Sequence, residues 1–396
     1  MDSAPFADVT VVDLGQIYNA PYATLLLALA GATVIKVEPL AGENLRGRGR
    51  VAGAGAPFAM LNSNKKDVTL NLKDPDGVAL LEKMVARADV FVENFRPGVT
   101  DKLGIGPARL RGLNPSLIYA SGSGYGSTGP YRDLPAMDIT IQAMSGIMAV
   151  TGFPDREPVK AGPAISDFMG GIHLYGAIAT ALYQREKTGK GTTVEAAMLD
   201  SVYPTLMSSL GLYFGSTGDR PTRTGNRHSG MAEAPYNVYP ASDGYVALIC
   251  VSDAHWRALA EVMGKPELGR DERLLTRVSR VEHIDEVDSL VSGWSSKLTK
   301  QEIADKLNAA GVPSAPVREL EEVVHDPHLR QRGMLQEMDH PDAGPLVVPH
   351  TPIRVGDWYA ELVPSPRLGA HNDEIYGDWL GVDADTRKDL KDRGVI

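Results

Sequence analysis

Residues 9–37 read Val-Thr-Val-Val-Asp-Leu-Gly-Gln-Ile-Tyr-Asn-Ala-Pro-Tyr-Ala-Thr-Leu-Leu-Leu-Ala-Leu-Ala-Gly-Ala-Thr-Val-Ile-Lys-Val, and they decide the fold. The first six residues are β-branched and apolar, with Asp13 near their end, and predict a strand. Pro21 stands in the first turn of a helix over 21–29, and Gly31 stops it. Residues 33–37 predict a second strand. Strand, helix and strand in so short a span form a βαβ unit, hence a parallel sheet.

The pattern repeats outward. Residues 76–87 predict a helix and 89–93 a strand; 106–112 give a helical turn or two and 117–121 another strand. A helix over 168–187 runs into Thr188-Gly189-Lys190-Gly191, a glycine stop. Residues 1–215 therefore predict an open, doubly wound, Rossmann-like α/β domain. Residues 215–230, rich in Gly, Arg and Thr, read as a linker. A hairpin over 236–251 turning at Ser242-Asp243-Gly244, then helices at 254–263, 281–294 and 300–310, predict a small α+β domain over 230–325. The tail is rich in Pro and Gly and ends in a helical segment near 384–393.

With 396 residues, 43% of them hydrophobic and 23% charged, the chain has the composition of a globular protein large enough for two domains. A net charge of −10 argues against a nucleic-acid partner. Basic runs occur at Arg46-Gly-Arg48-Gly-Arg50 and at Asn64-Lys65-Lys66. The lone Cys250 excludes an intrachain disulfide. Nine scattered histidines, none before His173, leave no metal-ligand spacing. The apolar run at 23–32 is too short to span a bilayer, and no secretory signal is apparent, so a cytoplasmic location is expected.

The loop Gly15-Gln-Ile-Tyr-Asn-Ala-Pro21 lacks Gly-x-Gly-x-x-Gly, so Glu38 is a poor ribose ligand and a dinucleotide site is disfavoured. Neither a P-loop nor a Gly-x-Ser-x-Gly elbow occurs. At a strand end, Val92-Glu-Asn-Phe-Arg-Pro-Gly98 offers Asn94 for hydrogen bonding, Phe95 for stacking, and Arg96 or Lys102 for a phosphate; the plain alternative is a solvated turn. The glycine-rich loop Ser121-Gly-Ser-Gly-Tyr-Gly-Ser-Thr-Gly-Pro130 follows another strand end and carries Tyr125 as its one large residue.

Asp138 lies in Pro135-Ala-Met-Asp-Ile-Thr-Ile-Gln-Ala-Met-Ser-Gly146, among residues suited to burial. Three readings stand side by side: an N-cap for a helix over 139–148, half of a salt bridge, or a reactive carboxylate.

Taken together these stretches resemble the type III CoA-transferases, the CaiB/BaiF family. The matching segments run in order: Gly31-Ala-Thr-Val-Ile-Lys-Val-Glu-Pro39, Asn62-Ser-Asn-Lys65, residues 89–98, Gly124-Tyr-Gly126, Met137-Asp138 with Gln142-Ala-Met-Ser-Gly146, Asp167 with Gly170-Gly171, Thr188-Gly-Lys-Gly191, Gly225-Asn-Arg-His228, Gly311-Val-Pro313 and Gly369-Ala-His371. The resemblance implies an interlocked homodimer in which residues 335–396 return to complete the large domain. It implies acyl-CoA and carboxylic acid substrates, with no permanently bound cofactor and no metal. On matching positions it places Lys36, Leu72, Asn94, Phe95, Arg96 and Lys102 against CoA, joined by Tyr125, with Met198 near the pantetheine arm. It casts Asp138 as the nucleophile, acylated and then thioesterified, with oxyanion donors at Gly230 in the 225–231 loop and at the backbone near Tyr18.

Oxalate-using members carry Gln where Tyr18 stands, glycines where His228-Ser-Gly-Met-Ala stands, and Lys where Ser123 stands. A larger or less polar acid than oxalate is therefore expected. Two rival activities remain. One is a 2-methylacyl-CoA racemase, which needs a second base such as His173 or His228. The other is a non-enzymatic acyl-CoA-binding protein.

Overall fold

The computed structural model describes residues 4–47, 55–216, 218 and 221–396. Of the basic run at 46–50, Arg48 and Arg50 lie outside the described residues, as does part of the expected linker.

Six strands build a parallel sheet: β1 (Thr10–Asp13), β2 (Thr33–Glu38), β3 (Lys66–Thr69), β4 (Val90–Glu93), β5 (Ile118–Ser123) and β6 (Thr193–Ala197). Their order is β3-β2-β1-β4-β5-β6. This is the doubly wound order in which ligands collect beyond the carboxyl ends of the strands where the winding reverses, here between β1 and β4. The apolar alternation of β1 explains its place at the centre. Val12 faces one core with Ile35, Phe91, Leu81 and Met84, whereas Val11 faces the other with Val34, Val90, Leu27 and Leu174. Helix α1 (Asn19–Leu29) and helix α5 (Ile165–Thr188) cover the second face, and α2 (Pro75–Val85) and α3 (Pro107–Leu113) the first. Between α3 and α5 lies the short helix α4 (Asp138–Met144).

The tail completes this sheet. Ile375, Tyr376, Leu380, Leu390 and Val395 enter the first core. Residues 369–376 also shield the outer edge of β3: Gly369 N donates to Asp67 Oδ1, Thr69 N to Asn372 Oδ1, and the Tyr376 hydroxyl to the Thr69 carbonyl. An uncovered edge would leave a row of unpaired backbone groups. Beneath it, burial and the neighbouring Glu38 push the Asp67 carboxyl up to about 9. Glu38 is held low despite its burial, by hydrogen bonds with Asp67 and Arg46.

The chain divides into two compact units, one of residues 1–141, 164–202 and 324–396, the other of 142–163 and 203–323. Residues 142–163 and 203–215, expected within a 1–215 domain, group with the second unit. The arginine-rich segment read as a linker is tied within that second unit. Arg223 donates to the carbonyls of Phe153 and Arg156, Gly225 N donates to Gly152 O, and Arg227 pairs with Asp285 and Asp288. The expected hairpin is present as β7 (Tyr236–Ala241) and β8 (Gly244–Ile249), with β9 (Ser314–Pro316) added at its edge. Trp256, Leu259, Val287, Val291, Ile303 and Leu307 fill the core beside it. The helix expected over 281–294 is two, Arg277–Glu282 and Ile284–Ser295, parted at His283. The antiparallel pair β10 (Leu335–His340) and β11 (Gly344–Pro349) in the first unit had no counterpart in the sequence reading.

Candidate active site

The loop after β1 is held from beneath by buried charge. Asp13, fully buried, accepts from Gly15 N at 2.7 Å, from the Thr24 hydroxyl at 2.6 Å and from Lys65 Nζ at 3.1 Å. Lys65 Nζ also donates to Pro21 O and Asn62 Oδ1; burial pulls this ammonium down to about 8, with Asp13 opposing the fall. The next amide, Gln16 N, donates to Asn94 Oδ1 while Asn94 Nδ2 returns a bond to Gln16 O. Ile17 N donates to Glu43 Oε2. Three consecutive N–H groups thus end on acidic or amide side chains. They hold Ile17 at φ 65°, a left-handed conformation that a β-branched residue adopts only under constraint.

This loop, the 94–97 turn after β4 and residues 122–125 after β5 surround a cavity of about 140 Å³ at the switch point. Its wall includes Gln16, Ile17, Asn19, Asn94, Phe95, Arg96, Tyr125, Arg132, Met137, Met198 and Asp167. Asp167 is the one carboxylate among the lining residues. It sits in the first turn of α5 and is 8% exposed; burial, then the charge of Asp138, push its carboxyl up to about 7. An open cleft of about 520 Å³ lies alongside, formed by Leu14, Val37, Leu40, Leu70, Leu72 and Leu103, and shares Gln16 and Phe95 with the cavity.

Asn94, Phe95, Arg96, Tyr125 and Met198 line this cavity together, and Leu72 lies in the neighbouring cleft. The other five expected site residues are not among those lining the cavity. Asp138 is not among the cavity's lining residues. It is the first helical residue of α4, and its Oδ1 accepts Ser166 N of α5 at 2.8 Å. Lys36 is 1% exposed and donates to Gly15 O, which places it under the loop rather than against a ligand. The Tyr18 ring packs on Phe168, ring centroids 6.0 Å apart, while its neighbours Ile17 and Asn19 line the cavity. Gly230 N already donates to His228 Nδ1 inside its own loop, so that N–H is occupied. Lys102 is exposed at the end of a single helical turn, outside both clefts.

Asp167 was quoted for its sequence pattern but given no chemistry. The available signal was Gly170-Gly171 one turn further on, since two glycines on a helix mark close approach of another backbone. Asn19, Ile17 and Arg132 had no signal at all.

No histidine lines the cavity among the described residues, and His173, one and a half turns past Asp167, is exposed with Nδ1 against Met169 O. The second base a racemase needs is therefore missing from the wall. Among the described residues no group of three or more His, Cys, Asp or Glu is placed to hold a metal, and no helix is long and apolar enough to cross a membrane.

The fold and the cavity together define an α/β enzyme with a buried carboxylate, Asp167, at the mouth of a parallel sheet. The chain belongs to CoA-transferase family III, which it matches over residues 6–372. It is 38% identical to an acetyl-CoA:oxalate CoA-transferase of Acetobacter aceti, over 89% of this chain and 90% of that one. It is 37% identical to a succinyl-CoA–D-citramalate CoA-transferase of Chloroflexus aurantiacus, over 99% and 98%. A solved CaiB/BaiF family protein from Brucella suis superimposes with TM-score 0.82 at 34% identity, covering 95% of this chain and all of that one. The protein is a CoA-transferase.

Proposed function

We propose that CoA passes from an acyl-CoA to a free carboxylic acid with Asp167, not Asp138, as the carrier. The observation that carries this reading is that, among the described residues, Asp167 is the sole carboxylate on the cavity wall. A carboxylate oxygen of Asp167 attacks the thioester carbonyl; the C–S bond breaks, leaving a mixed anhydride and CoA thiolate. The thiolate attacks the aspartyl carbonyl and expels the donor acid as its carboxylate, leaving an aspartyl–CoA thioester. The acceptor carboxylate displaces the thiolate to form a second anhydride. The thiolate then takes the acceptor acyl group and restores Asp167. The thioester's energy is conserved throughout, because each step exchanges one activated acyl bond for another. The raised pKa makes Asp167 a more basic nucleophile than an ordinary aspartate, and the narrow cavity limits hydrolysis of the anhydride.

The cleft of Leu72 and Phe95 suits the adenine end of CoA, and the cavity suits the pantetheine and acyl end. The protein is read as a homodimer, which the exposed Ile172 and Tyr183 of α5 support, and as cytoplasmic, where CoA thioesters are made and used. Incubation with acyl-CoA and hydroxylamine, followed by peptide mass spectrometry, tests the carrier. Label is expected on Asp167; label on Asp138 overturns the assignment.

The similar transferases act on dicarboxylic acids by name, and Arg132 lies on the wall with about half of its side chain exposed. A short dicarboxylic acid larger than oxalate is the substrate class proposed. Arg132→Gln is expected to lower kcat/KM for succinate about tenfold relative to propionate, the effect of one charge-assisted hydrogen bond. Equal losses for both acids would assign Arg132 to CoA instead.

A further inference from the structure

Asn19 opens α1 and is 3% exposed. Its Nδ2 donates to the main-chain carbonyl of Asp167 at 3.3 Å, a bond across 148 positions of sequence. Its Oδ1 is buried and has no hydrogen-bond partner. An orphaned acceptor is a standing cost that an apolar side chain of similar size would not carry.

The surroundings are shaped to admit this side chain. A Cβ on Gly122 would lie 2.3 Å from Asn19 Oδ1, one on Gly170 2.2 Å from Nδ2, and one on Gly171 2.6 Å from the Asn19 carbonyl oxygen. Gly170 and Gly171 are interior to α5, where each glycine costs helix stability relative to alanine. Helix propensity and an unpaired buried oxygen are thus both given up to keep an amide against the Asp167 peptide.

We propose that Asn19 is a positioning residue for the transfer reaction, resting on the reading that Asp167 carries the acyl group. On one side Asn19 holds the Asp167 carbonyl; on the other Asp138 holds the Ser166 amide. Residues 166–167 are thereby pinned at both ends, and the carboxylate keeps its aim while it passes through anhydride, thioester and anhydride. A carrier free to turn would present its anhydride to water as often as to the thiolate.

Asn19→Leu removes the donor and the orphaned acceptor while keeping the branched outline of the side chain, and Asn19→Asp keeps the shape but adds charge. For Asn19→Leu, kcat is expected to fall at least about tenfold, further than KM for acyl-CoA rises, because an interaction that orients the reacting group is lost. The fraction of acyl-CoA hydrolysed rather than transferred should rise, and the melting temperature should hold or increase. In Asn19→Asp the added negative charge should move the pH at which activity rises above that of wild type. If Asn19→Leu keeps wild-type kcat and partition, or loses activity only through a raised KM or a lowered melting temperature, the proposal is overturned. Hydroxylamine labelling of the wild type keeps the two readings apart. Label on Asp167 with an unaffected Asn19→Leu enzyme sinks only the positioning role, whereas label elsewhere sinks the carrier assignment itself.

Discussion

Asp167→Asn is expected to lower CoA transfer by at least about 10³-fold, the usual scale for deleting a covalent nucleophile, while acyl-CoA still binds. An amide has nearly the same shape, so the cavity persists, but it cannot form the anhydride. Asp138→Asn should behave differently. It leaves the carrier in place and removes the charge that helps raise the Asp167 pKa. Its activity should therefore survive in part, with the rise in rate moved to lower pH. Equal and complete loss in both variants would not distinguish them, so the pH–rate profile is the deciding measurement; a profile for Asp138→Asn displaced to higher pH would contradict the assignment.

The same substitution has an opposite expected effect on stability. In the folded protein Asp167 titrates at about 7, against an ordinary value of 3.8. A carboxyl whose folded pKa lies above its unfolded one contributes its full stability below about pH 4 and loses it as pH rises through about 7. At about pH 8 the ionised, buried carboxylate is a liability with an upper bound near 4 kcal/mol, at 1.36 kcal/mol per decade. Asp167→Asn should therefore melt above wild type at about pH 8, with the difference shrinking toward about pH 4. Wild-type transfer should rise with pH through about 7, since the nucleophile is the ionised form. An enzyme can hold such a destabilising group only where function requires it.

Lys65→Met is the second large effect, and it acts on the fold. The ammonium pairs with Asp13 at 3.1 Å with both side chains fully buried. Removing one partner of such a pair leaves an uncompensated charge and costs on the order of 3–5 kcal/mol. Asp13 would retain only Gly15 N and the Thr24 hydroxyl. Because those bonds anchor the loop that carries Ile17 and Asn19, activity should fall along with the melting temperature. Pairing it with Asp13→Asn should recover part of the loss, since the charge goes with its partner. A lone Lys65→Met that melts as wild type would show that the pair contributes nothing.

Much of the architecture was legible because it follows from local pattern. The apolar runs of β1, β2, β4 and β5, the proline and glycine that bound α1, and the Asp243-Gly244 turn each report their own burial or backbone angle within a few residues. Strand β3 was not legible. Lys66-Asp67-Val68-Thr69 has no apolar run to signal a strand, and its polar groups find partners in Arg46, Glu38 and the tail at 369–376, all distant in sequence. The cavity residues at 94–96 and 125 were legible because strand-end loops are where open sheets bind ligands, a rule that needs only the order of elements.

From the residues alone came the sheet, its helices, the ligand-binding strand ends and the likeness to a CoA-transferase. The tertiary structure alone decided which aspartate faces the cavity. Asp138 and Asp167 both open helices, and nothing within either segment ranks them. Burial, a neighbouring charge and the reach of Asn19 across 148 positions separate them, and such long-range relations are set by packing rather than by any local pattern.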